Sequence, residues 1–159
     1  MGNNKKVILI PCCVLSAGMR SNTQASLDEL GEIIKVLHAF KTGVISLPCP
    51  YFSLVRATND EPVCFASKIT NTFIEGSIPE DNSGLYWKIL DPVISQIESY
   101  KKQGVQVVGL IGVKDSPSCS VNRINDNQER CYGQFIKTLV QRLKESSMSL
   151  NMADILLPG

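Results

Sequence analysis

The chain has 159 residues, 43% hydrophobic and 19% charged, with a formal net charge of +1. That length and balance suit a single α/β-sized globular domain, 1–159, with a real core. The near-zero charge carries no footprint of a nucleic-acid or membrane-surface binder, and no apolar stretch approaches the length of a membrane span.

Taken in chain order, Met1 to Lys6 and the apolar run after it have the outline of a signal peptide. The run holds Pro11 and two cysteines and leads into Arg20 with no small-residue cleavage site, so it reads as a first strand, Val7 to Cys12. Lys6 stands where a myristoylation pattern needs Ser or Thr. A cytoplasmic location is therefore expected, and in a reducing compartment cysteines serve metals or catalysis more often than disulfides.

A polar loop, Ser16 to Gln24, precedes a helix opening at Ser26, where Ser26-Leu27-Asp28-Glu29 has the capping-box pattern. Leu30, Ile33, Ile34 and Leu37 recur at helical spacing as its buried face, and Gly43 ends it. Strand two, Val44 to Leu47, stops at Pro48-Cys49-Pro50, where two prolines fix the backbone around one cysteine. Tyr51 to Gly84 is the least regular stretch, with loops around a short element near Ile69 to Phe73. A helix follows over Leu85 to Lys102, with Ile89, Leu90, Val93, Ile94 and Ile97 on one face and Gly104 after it. Strand three, Val105 to Ile111, is almost wholly apolar, as a central parallel strand should be. The last helix, Gly133 to Glu145, carries Phe135, Ile136, Leu139, Val140 and Leu143 on one face, and Ala153 to Leu157 reads as a final strand. The order predicts an α/β fold, a small three-layer open sheet, mostly parallel, of Rossmann or flavodoxin type.

Cys13, Cys49 and Cys119 each fall at or just past a strand end. In a parallel sheet those ends converge on one crevice, where ligands bind. Thiolates are good ligands for iron, and iron–sulfur clusters are held by cysteines. Electron-transfer clusters often use tight C-x-x-C spacing, which is absent here. Three separated ligands leave one metal position open, as catalytic sites do, and an open iron is a Lewis acid for a sulfur guest. Any one of these thiols could instead fill core space. That is the preferred reading for Cys12, Cys64 and Cys131, since Cys12 and Cys13 cannot both face one site from an extended strand.

The segments Ile10 to Arg20, Cys49-Pro50 and Lys114-Asp115-Ser116-Pro117-Ser118-Cys119 resemble, in order, the three signatures of the thiouracil desulfidase (TudS-like) family. Those are a strand ending in C-L-L-G-x-x-V-R, then C-P-E, then S-P-S-C-G. The resemblance spans roughly the whole chain. It implies an open α/β sheet, a [4Fe–4S] cluster with three Cys ligands at Cys13, Cys49 and Cys119, and removal of sulfur from a thiocarbonyl base. Ser116 matches the family's active-site serine; a turn or cap role before Pro117 is the alternative. The chain departs from the pattern at Tyr51, where the family has a proton-moving Glu, and at Ser16 and Ser120, where it has Gly.

Tyr51 has a hydroxyl of ordinary pKa near 10, weak for acid–base work at neutral pH. Asp115 is the candidate to replace the missing carboxylate, or a solvated turn residue. Arg20 and Ser16 are the candidates for substrate binding, with a surface ion pair the alternative for Arg20. The expected function is non-redox release of sulfide from a small thiolated substrate, with no membrane partner and no basic stripe for nucleic acid. The rival readings are a sulfide carrier for another enzyme and a non-catalytic α/β metal- or cluster-binding module, which a zinc site with a fourth ligand from Cys12, Cys64 or Cys131 would support.

Overall fold

The computed structural model describes residues 4–16, 23–50, 83–116 and 118–156, with the side chains of 23, 24 and 83 outside that description. Its elements are β1 (Lys6–Pro11), α1 (Cys12–Leu15), α2 (Thr23–Ala39), β2 (Thr42–Leu47), α3 (Ser83–Lys102), β3 (Gln106–Val113), β4 (Arg123–Ile124), β5 (Arg130–Cys131), α4 (Gln134–Glu145) and β6 (Asn151–Ile155). The apolar runs pair as one parallel sheet in the order β2-β1-β3-β6. This is the α/β class that the sequence predicts.

Burial follows position in the sheet. Leu9 and Ile10 in β1 are both 0% exposed. Successive strand residues face opposite ways, so both faces of the centre are covered and the fold has three layers. β2 lies at the edge, where Ile45 and Leu47 are buried while Val44 and Ser46 are exposed. α4 presents Phe135, Ile136, Thr138, Leu139, Val140 and Leu143 to the core, the stripe that its spacing predicts. It packs on α3, where Tyr86 meets the Phe135 ring edge-on at 5.5 Å. Arg142 ties the two helices outside the core: its guanidinium lies 4.5 Å over the Trp87 ring and bonds the Trp87 carbonyl and Asp91.

Several local expectations change. α2 begins at Thr23, so Ser26 lies inside it, fully buried, and its hydroxyl has no partner among the described residues. It is not the cap of a capping box. Ile34 is exposed, and Leu30, Ile33 and Leu37 are only half-buried, so the inward face is narrower and shallower than its spacing predicts. The turn after α2 is made by Lys41 at φ 51°, while Gly43 lies within β2. Gly104, by contrast, does close α3 as expected: it takes φ 76°, and Val105 N–H bonds back to the Tyr100 carbonyl. β3 runs on to Val113, and the final strand is Asn151–Ile155, two residues earlier than read. The short β4–β5 hairpin was not expected; Asn125 organises its turn by accepting the Asn127 and Glu129 amides on its side-chain oxygen. The element read near Ile69 to Phe73 lies outside the described residues.

Candidate thiol site at the strand ends

Strand order reverses direction at β1, which has β2 on one side and β3 on the other. That switch point opens a crevice beyond the C-terminal strand ends. Three connections deliver cysteines to it. β1 runs into α1, a helical turn that starts at Cys12 and closes with the Ser16 amide on the Cys12 carbonyl. β2 ends at Leu47, and Pro48-Cys49-Pro50 follows. The β3 connection doubles back, so that the Cys119 carbonyl accepts the Val113 N–H at 2.9 Å.

The four thiols of Cys12, Cys13, Cys49 and Cys119 act on one another. Cys12 shares a hydrogen bond with Cys49, and this, with burial and the charges of Cys49, Cys13 and Cys119, pushes its pKa far above the ordinary thiol value. Burial pushes the Cys119 thiol up to about 12, with Cys13 and Cys49 adding to it and hydrogen bonds from Ser118 and Ser116 opposing it. Cys12 thus stands beside Cys49, one of the three expected ligands. The helical turn is the reason: adjacent residues diverge by about 100° in a helix rather than pointing to opposite faces. Cys131 lies in β5, paired with Arg123 across the hairpin. Cys64 lies outside the described residues.

The Cys119 loop is built from its own serines. Ser116 is buried, and its Oγ accepts the Cys119 N–H at 3.0 Å. Ser118 donates to Cys119 Sγ at 3.4 Å, which leaves its oxygen to accept from Ser116 Oγ at 3.3 Å. The two hydroxyls therefore form a short relay that ends on sulfur. Asp115 is exposed and sits at φ 61°, a left-handed conformation that Asp tolerates better than most residues. Ser16 is exposed at the end of α1. Tyr51 and Arg20 lie outside the described residues.

Two features that hold this loop were absent from the sequence reading. Asp154, from β6, accepts the Ser120 hydroxyl and the Val121 N–H at 2.7 Å each and the Asn122 N–H at 3.0 Å. Its signal was a lone carboxylate in the otherwise apolar tail. Gly133 and the first turn of α4 form the other support. The Ser118 carbonyl accepts the Phe135 and Ile136 N–H groups at 3.1 Å each, so the loop satisfies orphan donors of the helix N-terminus. A Cβ at Gly133 would stand 2.5 Å from the Ser118 carbonyl carbon and 2.8 Å from the Cys119 nitrogen. A Cβ at Gly112 would strike Asp154 and the Cys119 carbonyl oxygen.

The donor set fits a soft metal group. Thiols held protonated by burial and by one another gain most from a positive centre that takes their thiolates. Among the described residues, no group of three or more His, Cys, Asp or Glu side chains is already arranged around a single metal position, so a metal would have to draw the sulfurs together.

No family model matches the chain, and no solved structure matches it. An uncharacterized protein of Methanocaldococcus jannaschii is similar, 24% identical over 139 aligned residues that cover 71% of this chain and 80% of that protein. Among the described residues, no helix is long and apolar enough to cross a membrane.

Proposed function

We propose that this chain is an iron–sulfur-dependent desulfidase of the thiouracil desulfidase (TudS-like) kind. It takes sulfur as sulfide from a thiocarbonyl small molecule such as a thio-nucleobase, in a reducing, cytoplasmic setting. The observation that carries this is the meeting of Cys13, Cys49 and Cys119 at the switch point of a parallel sheet. These three are the proposed ligands of a [4Fe–4S] cluster. When bound, such a cluster supplies an open iron that polarises a thiocarbonyl sulfur.

The chain's own residues do the rest. The reaction exchanges C=S and water for C=O and hydrogen sulfide, so no electron donor is required. Ser118 and Ser116 hold the Cys119 sulfur through their relay and oppose, without overcoming, the rise that burial imposes on its pKa. Ser116 is also the candidate to orient the attacking water. Asp115 lies at the rim of the same loop as a carboxylate in place of the missing Glu, and Tyr51 follows Cys49-Pro50 in the chain. Arg20 and Ser16 are the proposed contacts to the polar edge of the substrate.

The test is anaerobic reconstitution with iron and sulfide, followed by 2-thiouracil and related thio-bases. The expected result is about four irons per chain and release of free sulfide. An intact cluster with no sulfide released from any thio-compound overturns the activity. A colourless protein holding one zinc overturns the cluster. One observation favours a second reading, a non-catalytic four-sulfur module: Cys12 stands among the other three thiols.

A further inference from the structure

Three thiols suffice for the site proposed above, and the chain brings a fourth. Cys12 opens α1 directly after β1, and its thiol shares a hydrogen bond with that of Cys49. The sheet register explains the meeting. Pro11 stands beside Leu47 across β1 and β2, so the residue after β1 and the second residue after β2 leave the sheet at nearly one level. Cys13 and Cys119 are also near enough for their charges to reach Cys12. The four thiols come from three strand ends, and Cys12 is half-buried beside Cys49.

We propose that Cys12 is a fourth sulfur donor to the metal group held by Cys13, Cys49 and Cys119. This rests on the metal-site reading above and not on the desulfidase activity. It gives the site two coordination states. With Cys12 bound, the site is closed in the manner of structural sites; with Cys12 released, one position opens to a sulfur guest. The helical turn is suited to this exchange. Among the described residues its N-terminal flank, Pro11, makes no side-chain capping bond, and only four residues form it. A substrate sulfur then competes with a tethered thiol, which rejects weak oxygen and nitrogen ligands and admits soft ones.

Cobalt(II) titration of the metal-free full chain, under anaerobic conditions, counts thiolates through the sulfur-to-cobalt charge-transfer band. Cys12→Ser is expected to lower that band by about a quarter, one donor in four, while Cys131→Ser leaves it unchanged. The same band in Cys12→Ser as in wild type, or no cobalt uptake by wild type, overturns the proposal. Cys12→Ala supplies a second variant, and circular dichroism checks that both fold. In chain reconstituted with iron and sulfide, added sulfide is expected to shift the electron paramagnetic resonance of the reduced cluster at about tenfold lower concentration in Cys12→Ala than in wild type. An equal response of the two also overturns it. A Cys12 effect on cobalt without sulfide release from thio-bases leaves the fourth donor standing and removes the desulfidase. Sulfide release without a Cys12 effect does the reverse.

Discussion

Cys119 and Cys49 reach the same crevice on backbones that are fixed in opposite ways. Cys119 sits in a loop braced by hydrogen bonds from three directions: its own serines, the first turn of α4, and Asp154 from β6. Cys49 sits between two prolines, whose rings fix φ locally and which offer no N–H to any partner. One thiol is placed by long-range bonding and the other by covalent restriction. The first kind of placement needs the whole fold; the second survives local loosening. Damage to the β3–β6 side should therefore cost far more, in stability and in metal binding, than damage to the β2 side.

Gly133→Ala is the strongest way to break the Cys119 side. The added carbon would press on the backbone of Ser118 and Cys119, not on a side chain that can swing away. That backbone cannot yield cheaply, because the Ser118 carbonyl bonds α4 and the Ser120 carbonyl accepts the Gly133 N–H at 2.8 Å. The expected loss is about 4 kcal/mol, read from the urea midpoint, together with loss of metal uptake. An unchanged midpoint would show that the loop and α4 can separate at little cost.

Asp154→Ala should follow. It strips one hydroxyl and two amides of a charged acceptor, for an expected loss of about 3 kcal/mol. Asp154→Asn keeps one carbonyl oxygen and should lose roughly half as much. Amide hydrogen exchange at Val121 and Asn122 is the specific readout, since a general loss of stability would raise exchange in the core of β1 as well. Protection at those two amides equal to wild type in Asp154→Ala would mean that the loop does not depend on β6.

The same contrast explains what the sequence made legible. The strands, the apolar stripes of α3 and α4, and the placing of Cys13, Cys49 and Cys119 past the C-terminal ends of neighbouring strands follow from local periodicity and from the rule for parallel strands. Pro48-Cys49-Pro50 announces its own rigidity. Cys12 stood only as one of three alternatives for a fourth ligand, because a strand carried through Cys12 sends adjacent side chains apart, whereas β1 ends at Pro11. Asp154 was hidden because its partners, Ser120 to Asn122, lie more than thirty residues away in the chain. The buried Ser26 misled for a third reason: a Ser-x-x-Glu pattern gives the same signal inside a first turn as before it.

Pro48→Ala tests the mild side of the comparison. The substitution keeps Cys49 and its neighbour Pro50 and removes one ring constraint. Its main effect falls on the unfolded chain, which gains conformations to lose on folding, so the expected cost is only about 0.4–1 kcal/mol. Thiol reach to the crevice should persist, because β2 remains paired to β1 from Thr42 through Leu47. The cobalt charge-transfer band at saturation should equal wild type, with a modestly weaker affinity from the entropy of ordering Cys49. A collapse of cobalt binding comparable to that of Gly133→Ala would mean that the prolines do more than restrict φ, and that Cys49 is placed by packing as demanding as that around Cys119.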